Sequence, residues 1–290
     1  MQNFLTNYRC ARTLVVTLLC LLPMQIAPMK IIALNDAQSS ENKIHSDDIA
    51  AKYGFSGALV SGVNVFGYLS QPLISAYSED CLSHGIMDVI FLKPAYHNDL
   101  LTITTENKDC NANERHHLSS AFNQADELLA KLESWRPQEL PPVNELAFVE
   151  CEDQSEQRQE IHWDLIHLRK PAALYDWSPS VADNKLRVDA QRDGAEIYQG
   201  ENGFVHPYYL LDACNKALMR MFILPAWIHT GSRLISRQAI RAGQKIEVRA
   251  VPIQKWERKG HQFIKLYISM NAENGLALEV EHTAIFKIAS

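Results

Sequence analysis

The chain has 290 residues, 47% hydrophobic and 21% charged, with a formal net charge of −6. That length suits one large or two small globular domains, and the absence of any Lys/Arg-rich run or basic helical face argues against nucleic-acid binding. The six cysteines form no CxxC and carry no zinc-finger histidine spacing, which points to reduced, structural thiols rather than a metal site or a disulfide framework.

At the N-terminus, Arg9 and Arg12 precede an apolar run from Leu14 to Met24. The run is short for a membrane span, which takes about 20 residues, but it fits the apolar region of a signal peptide. The Gln25-Ile26-Ala27-Pro28 that follows is a poor small-x-small cleavage site. A translation start at Met29 is the favoured reading, with Met29 to Leu34 as the first strand and a cytoplasmic protein. A genuine signal segment in 1–28 would instead export or tether it.

The rest of the chain reads as a duplication. Ala58-Leu59-Val60-Ser61-Gly62-Val63 and Gly203-Phe204-Val205-His206-Pro207-Tyr208 lie 145 residues apart, and each opens an apolar stretch spaced at three to four residues. Both stretches read as helices buried on most sides. The turns at Tyr96 to Asp99 and Arg241 to Gln244 keep the same offset, and each leads into an alternating strand. A hairpin is clear at Phe263 to Ile288 and weaker at Leu118 to Trp135, where composition also allows a helix; the repeat decides for strands. The fold expected is α+β, two antiparallel sheets each wrapped around a long central helix. The divisions are 29–135, a Pro-rich and acidic linker at 136–175, and 176–290.

At this point the residues resemble the hotdog superfamily, in particular the MaoC-like branch with the (R)-specific enoyl-CoA hydratases, as a double hotdog over about 29–290. The hydratase motif is an aspartate, any residue, Asn-Pro-aliphatic-His, five residues and Ala. Asn42, Ile44, His45 and Ala51 match it, Lys43 stands where Pro is usual, and Gly62 matches the glycine that opens the central helix. Trp227-Ile228-His229, Glu257 to His261 and His282 to Ile285 are similar to segments of bacterial acyl-dehydratase-like proteins. The resemblance implies an acyl-CoA or acyl-carrier-protein thioester as substrate, no cofactor, and a possible homodimer. The sequence departs from the motif at Ser40, which stands where the catalytic Asp is expected. A hydroxyl does not serve as a carboxylate base near neutral pH.

The candidate catalytic residues are therefore His45 as acid/base, Gly62 as oxyanion donor through its N–H, and Asn42 as a loop anchor or ligand contact. Asp47 and Asp48 read as the first turn of a short helix. Ser40, Ser61 and His206, the last at the repeat position of Ser61, are candidate substrate contacts. Arg258 and Lys259 are candidates for the phosphates of a CoA or pantetheine arm, on a segment that also reads as a solvated turn. His84 and His229 are matched by the repeat and expected to share a packing role. The motif is absent from the second half, where Ala190 takes the place of His45. Three activities follow: a hydratase or dehydratase first, a hotdog thioesterase second, a non-catalytic thioester-binding subunit third.

Overall fold

The computed structural model describes residues 25–108, 114–153, 156, 158–171 and 173–289. The apolar run from Leu14 to Met24 lies outside the described residues. Among them no helix is long and apolar enough to cross a membrane.

The first half contains Met29–Ile32 (β1), Asp47–Lys52 (α1), Gly62–Tyr77 (α2), Asp80–Ser83 (α3), Gly85–Phe91 (β2), Leu100–Asn107 (β3), Arg115–Phe122 (β4) and Leu128–Arg136 (β5). A connection follows with Gln159–Glu160 (β6). The second half contains Ala173–Trp177 (β7), Val181–Gln191 (α4), Pro207–Met221 (α5), Phe222–Ile223 (β8), Ile228–Ser236 (β9), Ile246–Arg258 (β10), His261–Ala272 (β11) and Gly275–Lys287 (β12). Both expected hairpins are present, as β4–β5 and β11–β12. β7 begins inside the segment expected to be linker and pairs with β10, as β1 pairs with β3. β6 and β8 form a separate short parallel pair.

The two expected sheets join into one of ten strands, ordered β1-β3-β4-β5-β2-β9-β12-β11-β10-β7. The antiparallel β2–β9 ladder is the seam, running from Gly85 against Ser236 to Ile90 against Gly231. A separate sheet in each half would leave β2 and β9 as open edges with unpaired backbone groups; the ladder satisfies both. At the middle of the seam Asp88 faces Arg233, its own repeat partner 145 residues on. A pseudo-two-fold axis therefore passes between them. The isolated bridges Leu59–Tyr96 and Phe204–Arg241 obey the same offset.

The two central helices pack on strands of this sheet and against each other. α2 is buried without a break from Val63 to Ile74, so it shows no solvent-facing stripe there. Phe66, Leu69 and Leu73 of α2 and Leu211 and Leu218 of α5 are fully buried. Burying each contributes about 1.5–3 kcal/mol.

Candidate functional site

The motif loop is short and tightly tied. Asn42 caps a single 3₁₀ turn, Lys43–His45, by accepting from Ile44 N–H at 3.3 Å. Its side chain also reaches the second half. Oδ1 accepts from Trp227 N–H at 3.1 Å and Nδ2 donates to Trp227 C=O at 3.0 Å. Lys43 N–H donates to Pro225 C=O at 3.2 Å. The loop carrying His45 is thus fixed to the chain just before β9.

His45 Nδ1 lies 2.8 Å from Leu59 C=O. A carbonyl only accepts, so Nδ1 carries the proton and Nε2 holds a lone pair. The nearest partner of that lone pair is Asn42 Nδ2 at 3.5 Å, the outer limit of a hydrogen bond. Burial lowers the His45 pKa below its ordinary value, against the Leu59 carbonyl and the Asp36 charge, which raise it. At neutral pH the ring is a neutral base with an available Nε2.

Gly62 is the first residue of α2. The Ser61 carbonyl accepts from Asn64 and Val65 N–H, and the first-turn N–H groups of Gly62 and Val63 precede any intrahelical acceptor. Ser61 makes no side-chain cap, and its buried Oγ has no partner. A Cβ added at Gly62 would lie 3.1 Å from Phe91 Cε2 and 3.2 Å from His229 Nδ1. The missing side chain keeps a gap open at the positive end of the helix.

His45, Asn42, Ser61 and Gly62 all line one cavity of about 400 Å³. Its wall combines residues of the first half, such as Phe55, Val65 and Phe91, with Trp227, His229 and Ile285 of the second. The volume and mainly apolar lining are those of a small-molecule site. Among the described residues, no Asp or Glu lines the cavity.

The remaining expected residues lie elsewhere. Ser40 donates to Asn42 C=O at 3.1 Å, and Glu41 pairs with Arg158 at 3.0 Å. Neither lines the cavity, so the carboxylate missing from the sequence is not replaced by its neighbour. Asp47 is in the first turn of α1 and accepts from Ala58 N–H at 2.7 Å, a structural role. Arg258 and Lys259 sit exposed at the β10–β11 turn, next to the cavity-lining His261.

His206 does not face the cavity. It is fully buried at the start of α5, where Nδ1 accepts from Tyr208 N–H at 3.2 Å and Nε2 faces Asp193 at 3.3 Å. Pro207 follows with no N–H of its own. The helix end that is open at Gly62 is therefore closed in the second half, and α4 covers it through Asn184, which accepts from His206 N–H.

The shared role expected of His84 and His229 also does not hold. His84 contacts Pro137 C=O at a helix end, whereas His229 is buried at the cavity. Burial pushes the His229 ring down to about 3, with only the Gly231 carbonyl favouring the charged form. Trp227, His229 and His261 are thus site residues whose segments stood out in the sequence but whose place did not. Asn215 and Thr230, also lining, carried no signal.

No family profile matches the chain, and no curated protein matches it in sequence. Solved structures do match. A protein of Chloroflexus aurantiacus described as a MaoC-domain dehydratase superposes with a TM-score of 0.64 at 10% identity, over 92% of this chain and 97% of that one. A Mycobacterium tuberculosis protein described as a double hotdog gives 0.60 at 10% identity, over 91% and 96%. This chain is a double hotdog. A protein described as an oleoyl thioesterase from Lactobacillus plantarum also matches, at 0.52 and 8% identity over 90% and 96%. The double hotdog thus has this cavity at the start of the first central helix, with walls from both halves, while the start of the second central helix is capped by His206.

Proposed function

We propose that the cavity takes an acyl thioester and that the protein hydrates a 2-enoyl-CoA, or dehydrates the 3-hydroxyacyl form, with His45 as acid/base. The observation that carries this reading is the pairing of a lone-pair-bearing His45 Nε2 with the open N-terminus of α2 at Gly62 in one cavity. In hydration, His45 Nε2 takes a proton from water as the water oxygen adds to C3. The C2–C3 electron pair moves toward the carbonyl, and the resulting enolate oxygen is held by the Gly62 N–H. The same proton then returns from His45 to C2. Water is consumed and no other group changes, so one histidine suffices to balance the step.

A second reading has a specific motive: among the described residues, no carboxylate lines the cavity. The same pair could direct water at the thioester carbonyl, with His45 passing the proton to the departing thiolate. Purified protein incubated with crotonyl-CoA and longer 2-enoyl-CoAs separates the two. Loss of enoyl absorbance without thiol release supports hydration. Release of free CoA supports hydrolysis. Thermal stabilisation by acyl-CoA with neither change would make the protein a thioester-binding subunit.

A further inference from the structure

The cavity has a second histidine that the motif does not include. His229 is 7% exposed and its Nδ1 has no hydrogen-bond partner among the described residues, although it lies 3.2 Å from where a Gly62 Cβ would stand. Its other nitrogen, Nε2, is 2.8 Å from Ser232 Oγ, which in turn is 2.9 Å from His282 Nδ1. His282 is 1% exposed and its Nε2 is also unpartnered.

The serine has one proton to give, which couples the two rings. In one arrangement Ser232 donates to His229 Nε2 and accepts from His282 Nδ1–H. His229 then shows an Nδ1–H to the cavity, and His282 keeps only a bare lone pair in the core. In the reverse arrangement His229 shows a lone pair to the cavity and His282 buries an N–H with nothing to receive it. Each arrangement leaves one N–H without an acceptor among the described residues, on His229 Nδ1 in the first and on His282 Nε2 in the second. The first puts that N–H at the cavity that His229 lines, where a ligand or water oxygen can receive it, whereas the second strands it in the core, so the first is favoured and aims a donor at the gap beside Gly62.

We propose that His229 Nδ1–H is the second donor to the thioester carbonyl oxygen, beside the Gly62 N–H, with its tautomer held by Ser232 and His282. This rests on the thioester reading of the cavity. It also gives a use to a buried polar chain on β9 and β12 that an apolar core would not need. In this arrangement the first central helix supplies one half of the oxyanion site and the second hotdog the other.

Two ligands isolate the carbonyl oxygen: the ketone analogue of butyryl-CoA with a methylene in place of sulfur, and S-butyl-CoA, which has no carbonyl. Wild-type protein is expected to bind the ketone about tenfold tighter, the share of one or two hydrogen bonds. His229→Phe should lose most of that preference, read as the ratio of its own affinities for the two analogues. His229→Asn, whose amide N–H falls near the place of Nδ1, should keep most of it. Full preference in His229→Phe overturns the inference and leaves the thioester reading standing. Failure of wild type to bind either analogue overturns the thioester reading, and the donor role with it. An independent arm uses wild type alone: ¹⁵N-histidine spectra should show His229 protonated at Nδ1, and an Nε2–H tautomer overturns the assignment.

Discussion

Asn42 and Trp227 hold each other across the two hotdogs, the amide accepting from the Trp227 N–H at 3.1 Å and donating to its C=O at 3.0 Å. The two residues are 185 positions apart, and this is the polar clasp that fixes the His45 loop on the second half. Trp227 is 2% exposed, so Asn42→Ala strands two buried backbone groups. We expect a loss of about 2–3 kcal/mol in urea unfolding. Asn42→Asp keeps the acceptor but sets a buried carboxylate oxygen against the Trp227 C=O, and should cost at least as much at neutral pH.

Gly62→Ala tests the helix end. The new Cβ meets Phe91 and His229 at 3.1–3.2 Å, and Phe91 is only partly buried and can give. Stability should change by less than about 1 kcal/mol, because alanine favours a helix. Turnover should fall about 100-fold as the gap for the oxyanion closes. A large loss of stability with turnover per folded molecule unchanged would make Gly62 a packing residue.

The buried histidines set a pH dependence of stability. His229 is held down to about 3, and burial also lowers His45, His206 and His282. Below about 6.5 the unfolded chain takes up protons that the folded rings refuse, so stability is full above that pH and falls as pH drops toward the folded values. A ring whose folded pKa lies well below this window, as that of His229 does, contributes a slope of up to about 1.4 kcal/mol per pH unit. Urea midpoints between pH 6.5 and 4.5 should fall steadily, and His229→Asn should flatten the curve. A pH-independent midpoint would contradict the burial of neutral imidazoles.

His206→Ala removes the cap of α5 and leaves Asp193 buried without its partner. A loss of about 2–4 kcal/mol is expected. The KM for an enoyl-CoA should stay the same at a temperature where the variant is folded, since His206 does not line the cavity. A raised KM with stability intact would restore it as a substrate contact.

Much of this was legible in the chain because local and repeated signals agreed. The 145-residue offset carries both central helices and both hairpins. His45, Asn42 and Gly62 were readable because motif spacing places them near one another in sequence. The join of the sheets was not, since nothing local to β2 or β9 says that each pairs with the other. His206 misled because its repeat position matches Ser61, while the Pro207 that follows and the Asp193 upstream close the site. His229 was visible as a residue and not as a site residue: it is 184 positions from His45, and its place depends on the β2–β9 pairing, which no local signal marks.

The most direct test of the central claim is the kcat/KM for hydration of crotonyl-CoA by wild type and by His45→Gln. The pH profile of the wild type should rise through an apparent pKa below 6.5, since His45 must be neutral to accept the proton and burial lowers it. His45→Gln should lose 10²–10⁴-fold of the rate, about the share of a positioned general base, and should lose that acid limb. An active wild type whose rate and pH profile survive His45→Gln would contradict the account.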